Sequence, residues 1–402
     1  MLDRILAKKS IGQEYEGIPD YCIIHPVDDP NESIFGFIEN DKLYTIKHAS
    51  DISSDRDWRG MNYLTAYSKE KITFEKLEFY KQSYDYIEKS SGNINSDSVI
   101  IKTTYQFKNC IIGGHYKNEP IINSITIRYP FNIKINDIKV KEEYKIQIDN
   151  KELTIAGLTN TRAITKGKED GYNYNKSISR YTIHSIKLSH GIKLNKMMEY
   201  VCWFNDLICI LAKRIVYPRR ITATDIDGSR FNYHYTLLRP NDPEYEIKNK
   251  TDIFHIELIW KDCGLFLDNW FSVNEHVKQS ISHYLELDRS KKSPRDKLIG
   301  NVNCFERVYT STEIGDESEK LKIKLENIEK LYGIEKLYGK NPILDTKTIK
   351  EFIVNTRHDL THGYKKNRKY VATSDIQISQ LAYIVSLLTR KIIEFKVLNI
   401  QD

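Results

Sequence analysis

An arginine, two histidines and an aspartate lie close together near the C-terminal end of the chain, in the segment RHDLTHG. Arg357 and His362 flank four residues that include His358 and Asp359. Histidine can take a proton from a ribose 2′-hydroxyl or give one to a leaving 5′-oxygen near neutral pH. The planar guanidinium of arginine can hold a phosphate and stabilise its developing charge. These four residues are therefore candidate catalytic groups for cleaving a ribose-phosphate linkage.

The spacing of this segment restricts its geometry. Five positions on an ideal helix rotate Arg357 and His362 by about 140° relative to each other, so they share a side only if the last turn unwinds, which Gly363 permits. Asp359 lies three residues before His362, where its carboxylate and the negative end of the helix dipole would favour the protonated imidazole.

A metal site is the main competing interpretation of the two histidines. His358 and His362 are four positions apart and would share one face of an unbroken helix. The zincin pattern requires glutamate directly after the first histidine, where Asp359 stands, and spacing marks no third ligand. We therefore predict no metal and no cofactor; no phosphate-binding loop, dinucleotide fingerprint or serine nucleophile motif occurs either.

The residues after Gly363 combine positive charge with aromatic rings. Cations hold phosphates and tyrosine rings stack on bases, so this segment is a candidate for binding single-stranded RNA, although such a run by itself is more often a solvated surface. The candidate RNA-binding residues are Tyr364, Lys365, Lys366, Arg368, Lys369 and Tyr370.

Polar and apolar residues alternate from about residue 33 to 190, which is typical of antiparallel strands. In YKIQIDNKELTI, for example, Tyr144, Ile146 and Ile148 share a face, and a polar turn precedes Leu153 and Ile155. The pattern predicts an antiparallel sheet or sandwich.

Helical spacing dominates beyond about residue 265, so we predict an α+β protein. Residues 1–264 are expected to form a β-rich domain with some helices, and residues 265–402 an all-α bundle. The R-x4-H segment ends the penultimate helix, and Ser374 with Gln377 has the spacing of a capping box that starts the last one.

The composition sets wide limits on function. Apolar residues make up 40% of the 402-residue chain and charged residues 29%, which is the balance of a folded protein rather than a disordered one. The formal net charge of +6 permits an anionic partner, and the six cysteines contain no C-x-x-C pair that would indicate a zinc knuckle. No segment is apolar enough for a signal peptide or a membrane span, so we expect a cytoplasmic protein without a membrane partner.

The R-x4-H motif between two terminal helices resembles that of the HEPN superfamily, a group of helical domains with many metal-independent ribonucleases. RHDLTHG looks like the motif of the ApeA-like HEPN proteins of bacterial antiphage defence. Arg357 matches the motif arginine, His358 the polar position after it, where many members carry asparagine, and His362 the motif histidine.

This resemblance implies a homodimer formed through the HEPN domain, in which two Arg-His sets line one cleft. It also implies RNA as the substrate, with transfer RNA as one class of target, abortive infection as the biological outcome, and a phage-derived trigger sensed by the N-terminal domain. We therefore expect an endoribonuclease that uses 2′-hydroxyl attack. The alternatives are a non-catalytic module that binds RNA or a nucleotide, and an assembly protein that dimerises through its last helix.

Overall fold

The protein is represented by a computed structural model, which describes most of the sheet and helical segments of the chain. The described residues are 21–26, 34–39, 42–48, 63–67, 71–86, 99–114, 116–129, 141–148, 151–160, 166–169, 172–175, 181–212, 214–218, 220–235, 263–289, 292–312, 314–315, 318–332, 348–363 and 369–399.

The N-terminal region is built from antiparallel strands, as predicted. The strands are β1 (Tyr21–Pro26), β2 (Ile34–Glu39), β3 (Lys42–His48), β4 (Tyr63–Tyr67), β5 (Lys71–Tyr86), β6 (Val99–Ile112), β7 (Ile121–Tyr129), β8 (Lys141–Ile148), β9 (Lys151–Asn160), β10 (Lys166–Glu169), β11 (Tyr172–Asn175), β12 (Tyr181–Lys193), β13 (Arg220–Asp225) and β14 (Arg230–Tyr235). Within the described residues, twelve of them form one sheet in the order β3-β2-β1-β4-β5-β6-β14-β13-β7-β12-β9-β8, and β10 pairs with β11.

The β8–β9 hairpin has the register that the alternation predicts. Ile146 pairs with Leu153 and Tyr144 with Ile155, and Ile146, Leu153 and Ile155 are buried. Because side chains alternate between the two faces of a strand, this register brings the apolar residues of both strands to the same face.

The first six strands close into a ring, which the sequence pattern did not specify. β6 pairs back with β3 from Lys42↔Gln106 to His48↔Ile100, and its later residues pair with β14. The 14 residues of β6 are long enough to belong both to the ring and to the rest of the sheet. One apolar cluster fills this part of the fold: Ile24, Leu43, Ile72, Phe74, Tyr105, Phe107, Cys110 and Ile112.

The C-terminal region is helical, so the α+β class with a β-rich N-terminal part is confirmed. The helices are α1 (Leu194–Leu211), α2 (Cys263–Ser272), α3 (Glu275–Arg289), α4 (Pro294–Ser311), α5 (Leu321–Tyr332), α6 (Ile349–His362) and α7 (Asp375–Ile392), and a π-helical turn follows at Ile393–Val397. In the described part of the chain, none of the helices has both the length and the apolar character needed to cross a bilayer.

The chain divides into two compact units. The first comprises Met1–Val201 and Tyr217–Phe254, and the second comprises Cys202–Val216 and His255–Asp402. The spacing of Val201, Phe204, Ile208 and Leu211 predicts a helix here, but our boundary at residues 264/265 left the segment 202–216 in the β-rich domain. The structure places that segment in the helical unit, since α1 continues from one unit into the other.

Two tryptophans tie the segment 202–216 to α2. Trp203 and Trp270 stack with ring centroids 4.1 Å apart, and both are buried. The indole N–H of Trp203 donates to the backbone oxygen of Trp270 at 3.1 Å, and the indole N–H of Trp270 donates to the oxygen of Trp203 at 2.9 Å. Each buried indole N–H therefore has a hydrogen-bond acceptor.

A buried ion pair joins the same segment to α3. Arg289 Nη2 donates to Asp206 Oδ1 at 2.8 Å, and Ser282 donates to Asp206 Oδ2 at 2.9 Å. Burial raises the pKa of Asp206, whereas Arg289 and the hydroxyl of Ser282 oppose that rise. Both carboxylate oxygens have donors, which is the condition for keeping a charge in the interior.

We expect Asp206→Asn to lower the free energy of unfolding by about 3–5 kcal/mol, because it leaves the Arg289 charge in the interior without a carboxylate. Urea denaturation followed by far-UV circular dichroism would measure the loss. Glu286→Gln is the control, since Glu286 is an exposed carboxylate on α3, 3.8 Å from His283, where ion pairs contribute about 0–1 kcal/mol. Equal effects of the two substitutions would contradict the interpretation.

The buried thiols of the helical unit should be unreactive in the native protein. Burial raises the pKa of Cys209 to about 11 and that of Cys304 to about 12. Because the thiolate is the reactive form, iodoacetamide at about pH 8 should label both cysteines many times more slowly in the folded protein than in urea. Peptide mass spectrometry would measure the two rates, and similar rates would show that these sites are open.

Candidate active site

The helix α6 carries all four candidate catalytic residues and is fixed along one side. Ile349, Ile353 and Thr356 are its buried residues. Near its start, Glu351 forms an ion pair with Lys322 of α5 at 3.0 Å, and Lys350 pairs with Glu329 of the same helix. This anchoring determines which side of α6 each later residue occupies.

The last turn of α6 remains helical through His362. The Gly363 N–H donates to the Asp359 backbone oxygen at 2.9 Å, and Gly363 has φ 84° and ψ 159°. A positive φ is what glycine at a helix end was expected to supply, but this ψ is extended rather than left-handed helical. The unwinding that would bring His362 to the side of Arg357 therefore does not occur.

Arg357 contacts a carboxylate of α4. Its Nη2 lies 4.0 Å from Glu306 Oε2, and 33% of its side chain is exposed. The Arg357 Nε is buried and has no hydrogen-bond acceptor among the described residues. Because 4.0 Å is longer than a hydrogen bond and partly exposed ion pairs contribute only about 0–1 kcal/mol, Glu306 holds the Nη2 group only weakly. The Nη2 group can therefore exchange this carboxylate for another anion, whereas the buried Nε is not accessible to one.

Glu306 was not among our candidates. It lies in NCFERVY beside the buried Phe305 and two residues before the buried Val308. Acidic residues on the polar side of an amphipathic helix are common, and nothing in the spacing distinguishes this one. Only the tertiary packing of α4 beside α6 brings it to Arg357.

His358 and His362 lie side by side on α6, as their spacing predicts. Their ring centroids are 4.7 Å apart with 51° between the ring planes. His362 is exposed and His358 and Asp359 are partly exposed. The two imidazoles therefore form one accessible pair at the helix end, whereas Arg357 contacts α4.

The chain after the basic segment returns to α6 and is held there by three contacts. Asn355 donates to the Lys369 backbone oxygen at 2.9 Å, and the Ala372 N–H donates to Thr356 Oγ1 at 2.9 Å. The Tyr370 ring meets Phe352 edge-on with centroids 5.7 Å apart. Two predicted RNA-binding residues, Lys369 and Tyr370, are thus exposed beside the helix that carries Arg357.

Tyr370 adopts an unusual backbone conformation for a residue other than glycine. Its φ is 59°, and 46% of its surface is exposed. A bulky residue at positive φ is held there by its surroundings, which here are the contacts of Lys369 and Ala372 with α6. The other predicted RNA-binding residues, Tyr364, Lys365, Lys366 and Arg368, lie outside the described residues.

The potential metal ligands of the described residues do not cluster in threes. Among these residues, no group of three or more histidine, cysteine, aspartate or glutamate side chains is arranged to hold a metal ion. Cys209 instead packs in the interior, where its sulfur accepts the Val216 N–H at 3.2 Å.

Comparisons with known proteins give no relative from which a function could be inferred. No family model, curated protein or solved structure matches the chain. The interpretation of the site therefore depends on the chemistry of its residues.

We expect Thr356→Val to weaken the attachment of residues 369–372 to α6. The substitution keeps the shape of the side chain but removes the acceptor of the buried Ala372 N–H, which costs about 1–3 kcal/mol locally. Hydrogen exchange measured by mass spectrometry should become about 5- to 140-fold faster in peptides that contain Ala372, since each 1.4 kcal/mol is a factor of ten. Thr361→Val is the matched control, because among the described residues the exposed Thr361 hydroxyl donates to carbonyls of α6 itself. Equal changes in both variants would refute the anchoring role.

Proposed function

We propose that this protein is a metal-independent endoribonuclease of bacterial antiphage defence, in which Arg357 and His362 act at the cleaved phosphate. The observation that carries the proposal is that α6 presents an exposed imidazole, His362, and a partly exposed guanidinium, Arg357, whose Nη2 is held only loosely by Glu306. The accessible Lys369 and Tyr370 beside this helix supply a cation and a stacking surface of the kind that single-stranded RNA requires.

The reaction needs only these groups and RNA. The ribose 2′-oxygen attacks the adjacent phosphorus, a histidine takes the 2′-hydroxyl proton, and the bond from phosphorus to the 5′-oxygen breaks. The 5′-oxygen receives a proton, so the products are a 2′,3′-cyclic phosphate and a 5′-hydroxyl. Arg357 neutralises charge on the non-bridging oxygens, and its partner Glu306 positions the guanidinium until a phosphate replaces the carboxylate.

The geometry of α6 favours a site shared by two copies of the chain. On an intact helix Arg357 and His362 point about 140° apart, so one phosphate is reached more easily by residues from two helices. The last helix, α7, also exposes two large apolar side chains at helical spacing, Ile376 at 68% and Tyr383 at 62%. We propose that a homodimer assembled through the helical region completes the site.

The role in defence follows from the resemblance of RHDLTHG to the ApeA-like HEPN motif. On this proposal the helical unit cleaves RNA, with transfer RNA as one class of target, and the β-rich unit responds to a phage-derived trigger. Cleavage would then halt phage propagation by abortive infection.

A non-catalytic module that binds RNA or a nucleotide is the alternative function. The observation that favours it is the separation of Arg357 from His362 around α6, because cations and Tyr370 could hold RNA without delivering a proton to it. An assembly protein, our third hypothesis, would use the exposed apolar side chains of α7 and would not need His362.

We expect the wild-type protein to cleave total RNA in the presence of EDTA and to leave 2′,3′-cyclic phosphate ends. His362→Ala should reduce the rate at least 100-fold, because a positioned proton-transfer group contributes about 10²–10⁴. Arg357→Ala should reduce it by about 10²–10³, the usual effect of removing a donor that stabilises charge in the transition state. Sequencing of RNA ends measures cleavage by the purified protein in EDTA. In a second experiment it measures cleavage in cells that express the protein, where phage infection supplies the cellular trigger.

Arg295→Ala and His276→Ala are the matched controls, since both residues are exposed and lie on other helices. Full activity of the Arg357 and His362 variants would refute the assignment of the site. RNA binding without cleavage, in infected as well as uninfected cells, would select the non-catalytic module.

A further inference from the structure

One surface of the β-rich unit is polar and lies opposite the core. Side chains of β7, β12, β13 and β14 alternate between the two faces of the sheet, and one face is buried: Ile125, Ile127, Ile186, Leu188, Ile221, Ala223 and Phe231. The other face carries half-buried or exposed side chains with hydroxyl, amide or cationic groups: Ser124, Thr126, Arg128, Ser185, Lys187, Arg220, Thr222, Thr224, Arg230 and Asn232. We call this set of residues the polar face.

The strand register spreads the cations of the polar face across the sheet. Lys187 pairs with Ser124, which pairs with Thr224, which pairs with Arg230. Neighbouring strands are about 4.8 Å apart, so the backbones of Lys187 and Arg230 are about 14 Å apart. Arg220 precedes Thr224 on β13 by about 14 Å along the strand. The cations are therefore too widely spaced to share one phosphate, and their spacing suits an extended polyanion.

The positive charge of the polar face is not balanced by carboxylates. Among its described residues no aspartate or glutamate occurs, and Lys187, Arg220 and Arg230 form no ion pair within the described part of the chain. Arg128 also stands directly opposite Arg220 in the pairing of β7 with β13. Like charges at opposed positions destabilise a sheet. The stability of the sheet does not explain this arrangement, whereas a bound polyanion would remove the repulsion.

Hydrogen bonds within the polar face orient the exposed Arg220 side chain. Its Nε donates to Asn232 Oδ1 at 2.8 Å, and the Thr222 hydroxyl donates to the same oxygen at 3.1 Å. This contact uses Nε and leaves both terminal nitrogens of the guanidinium for a ligand. A side chain that is already held in place loses less conformational entropy when it binds a phosphate.

The residue types of the polar face favour a double-helical RNA over a single strand. Arginine, lysine, serine, threonine and asparagine bind phosphates and sugars without reading the base sequence. Single strands are held by aromatic rings that stack on bases, and no aromatic residue belongs to the polar face. The wide, shallow minor groove of an RNA helix displays phosphates and 2′-hydroxyls. A sheet surface with hydroxyl and amide groups between its cations can contact both.

We propose that the polar face binds the backbone of a double-helical RNA without regard to its base sequence. Lys187, Arg220 and Arg230 hold phosphates, and the hydroxyl groups between them, such as those of Ser124 and Thr224, form hydrogen bonds with the sugars and phosphates. This binding goes beyond the ribonuclease function proposed above and does not depend on it, because no bond of the RNA is cleaved.

Fluorescence anisotropy with a labelled RNA duplex measures this binding. The probe has about 20 base pairs, more than the roughly 16 that a double-strand-binding domain covers. The full-length chain carries His362→Ala in every measurement, so that cleavage cannot consume the probe.

We expect the double substitution Lys187→Gln and Arg230→Gln to weaken duplex binding about 60-fold at about 0.1 M salt, because each phosphate contact releases about 0.9 counter-ion and so contributes about eightfold. The slope of log K against log salt concentration should become shallower by about 1.8.

Lys117→Gln combined with Lys196→Gln is the matched control. It removes the same charge from two exposed residues that lie outside these four strands, and duplex affinity should stay within about twofold of the unsubstituted face. Circular dichroism of both double variants verifies that the fold is kept. Equal losses in the two double variants, or an unchanged affinity in the first, would overturn the proposal.

Two further probes identify the kind of nucleic acid: one strand of the RNA duplex alone, and a DNA duplex of the same length. The loss of affinity caused by Lys187→Gln and Arg230→Gln should be largest for the RNA duplex, and equal for a second RNA duplex of unrelated sequence. An equal or larger loss with the single strand would contradict binding of a double helix, and an equal loss with DNA would contradict the assignment to RNA.

The outcome is separate from that of the ribonuclease proposal. If the RNA duplex binds through these residues but the wild-type protein cleaves no RNA, the polar face stands and the ribonuclease proposal fails. If RNA is cleaved but the Lys187 and Arg230 substitutions leave duplex binding unchanged, only the role of the polar face is wrong.

Discussion

The burial of one side of α6 is the constraint on which the candidate site depends. Ile349, Ile353 and Thr356 face the interior, and a helix with one side fixed has no rotational freedom left for its other residues. The same constraint that places Arg357 beside α4 also places His358 and His362 together at the accessible end. The positions of the candidate catalytic residues are therefore set by the packing of α6 against the core.

Thr356 couples this constraint to the segment that follows. Its side chain is buried within α6 but accepts a hydrogen bond from Ala372, beyond the basic residues. Residues 369–372 are therefore attached to the same helix that carries the candidate catalytic residues. Tyr370, which has the unusual positive φ, lies between these two attachment points.

Structural features that depend on residues close together in the sequence could be predicted best. The capping box of Ser374 and Gln377 is present at the start of α7, and the register of Ile146 with Leu153 follows the alternation. These features depend on neighbours a few residues apart, where spacing determines geometry. The pairing of β3 with β6 and the contact of Arg357 with Glu306 join residues far apart in sequence, and no periodicity records such contacts. The same limit explains why the sequence-based boundary left residues 202–216 in the β-rich domain, since their contacts with α2 and α3 are with residues far along the chain.

The reciprocal hydrogen bonds of Trp203 and Trp270 bear on where this protein can be cut. A fragment that starts after residue 254 would contain Arg289 and Trp270 but would lack Asp206 and Trp203, their partners on the earlier segment. Such a fragment would expose a large aromatic face and leave a half-buried cation without its counter-ion. The helical unit is thus discontinuous along the chain, so proteolysis or gene truncation between the two units cannot release it intact.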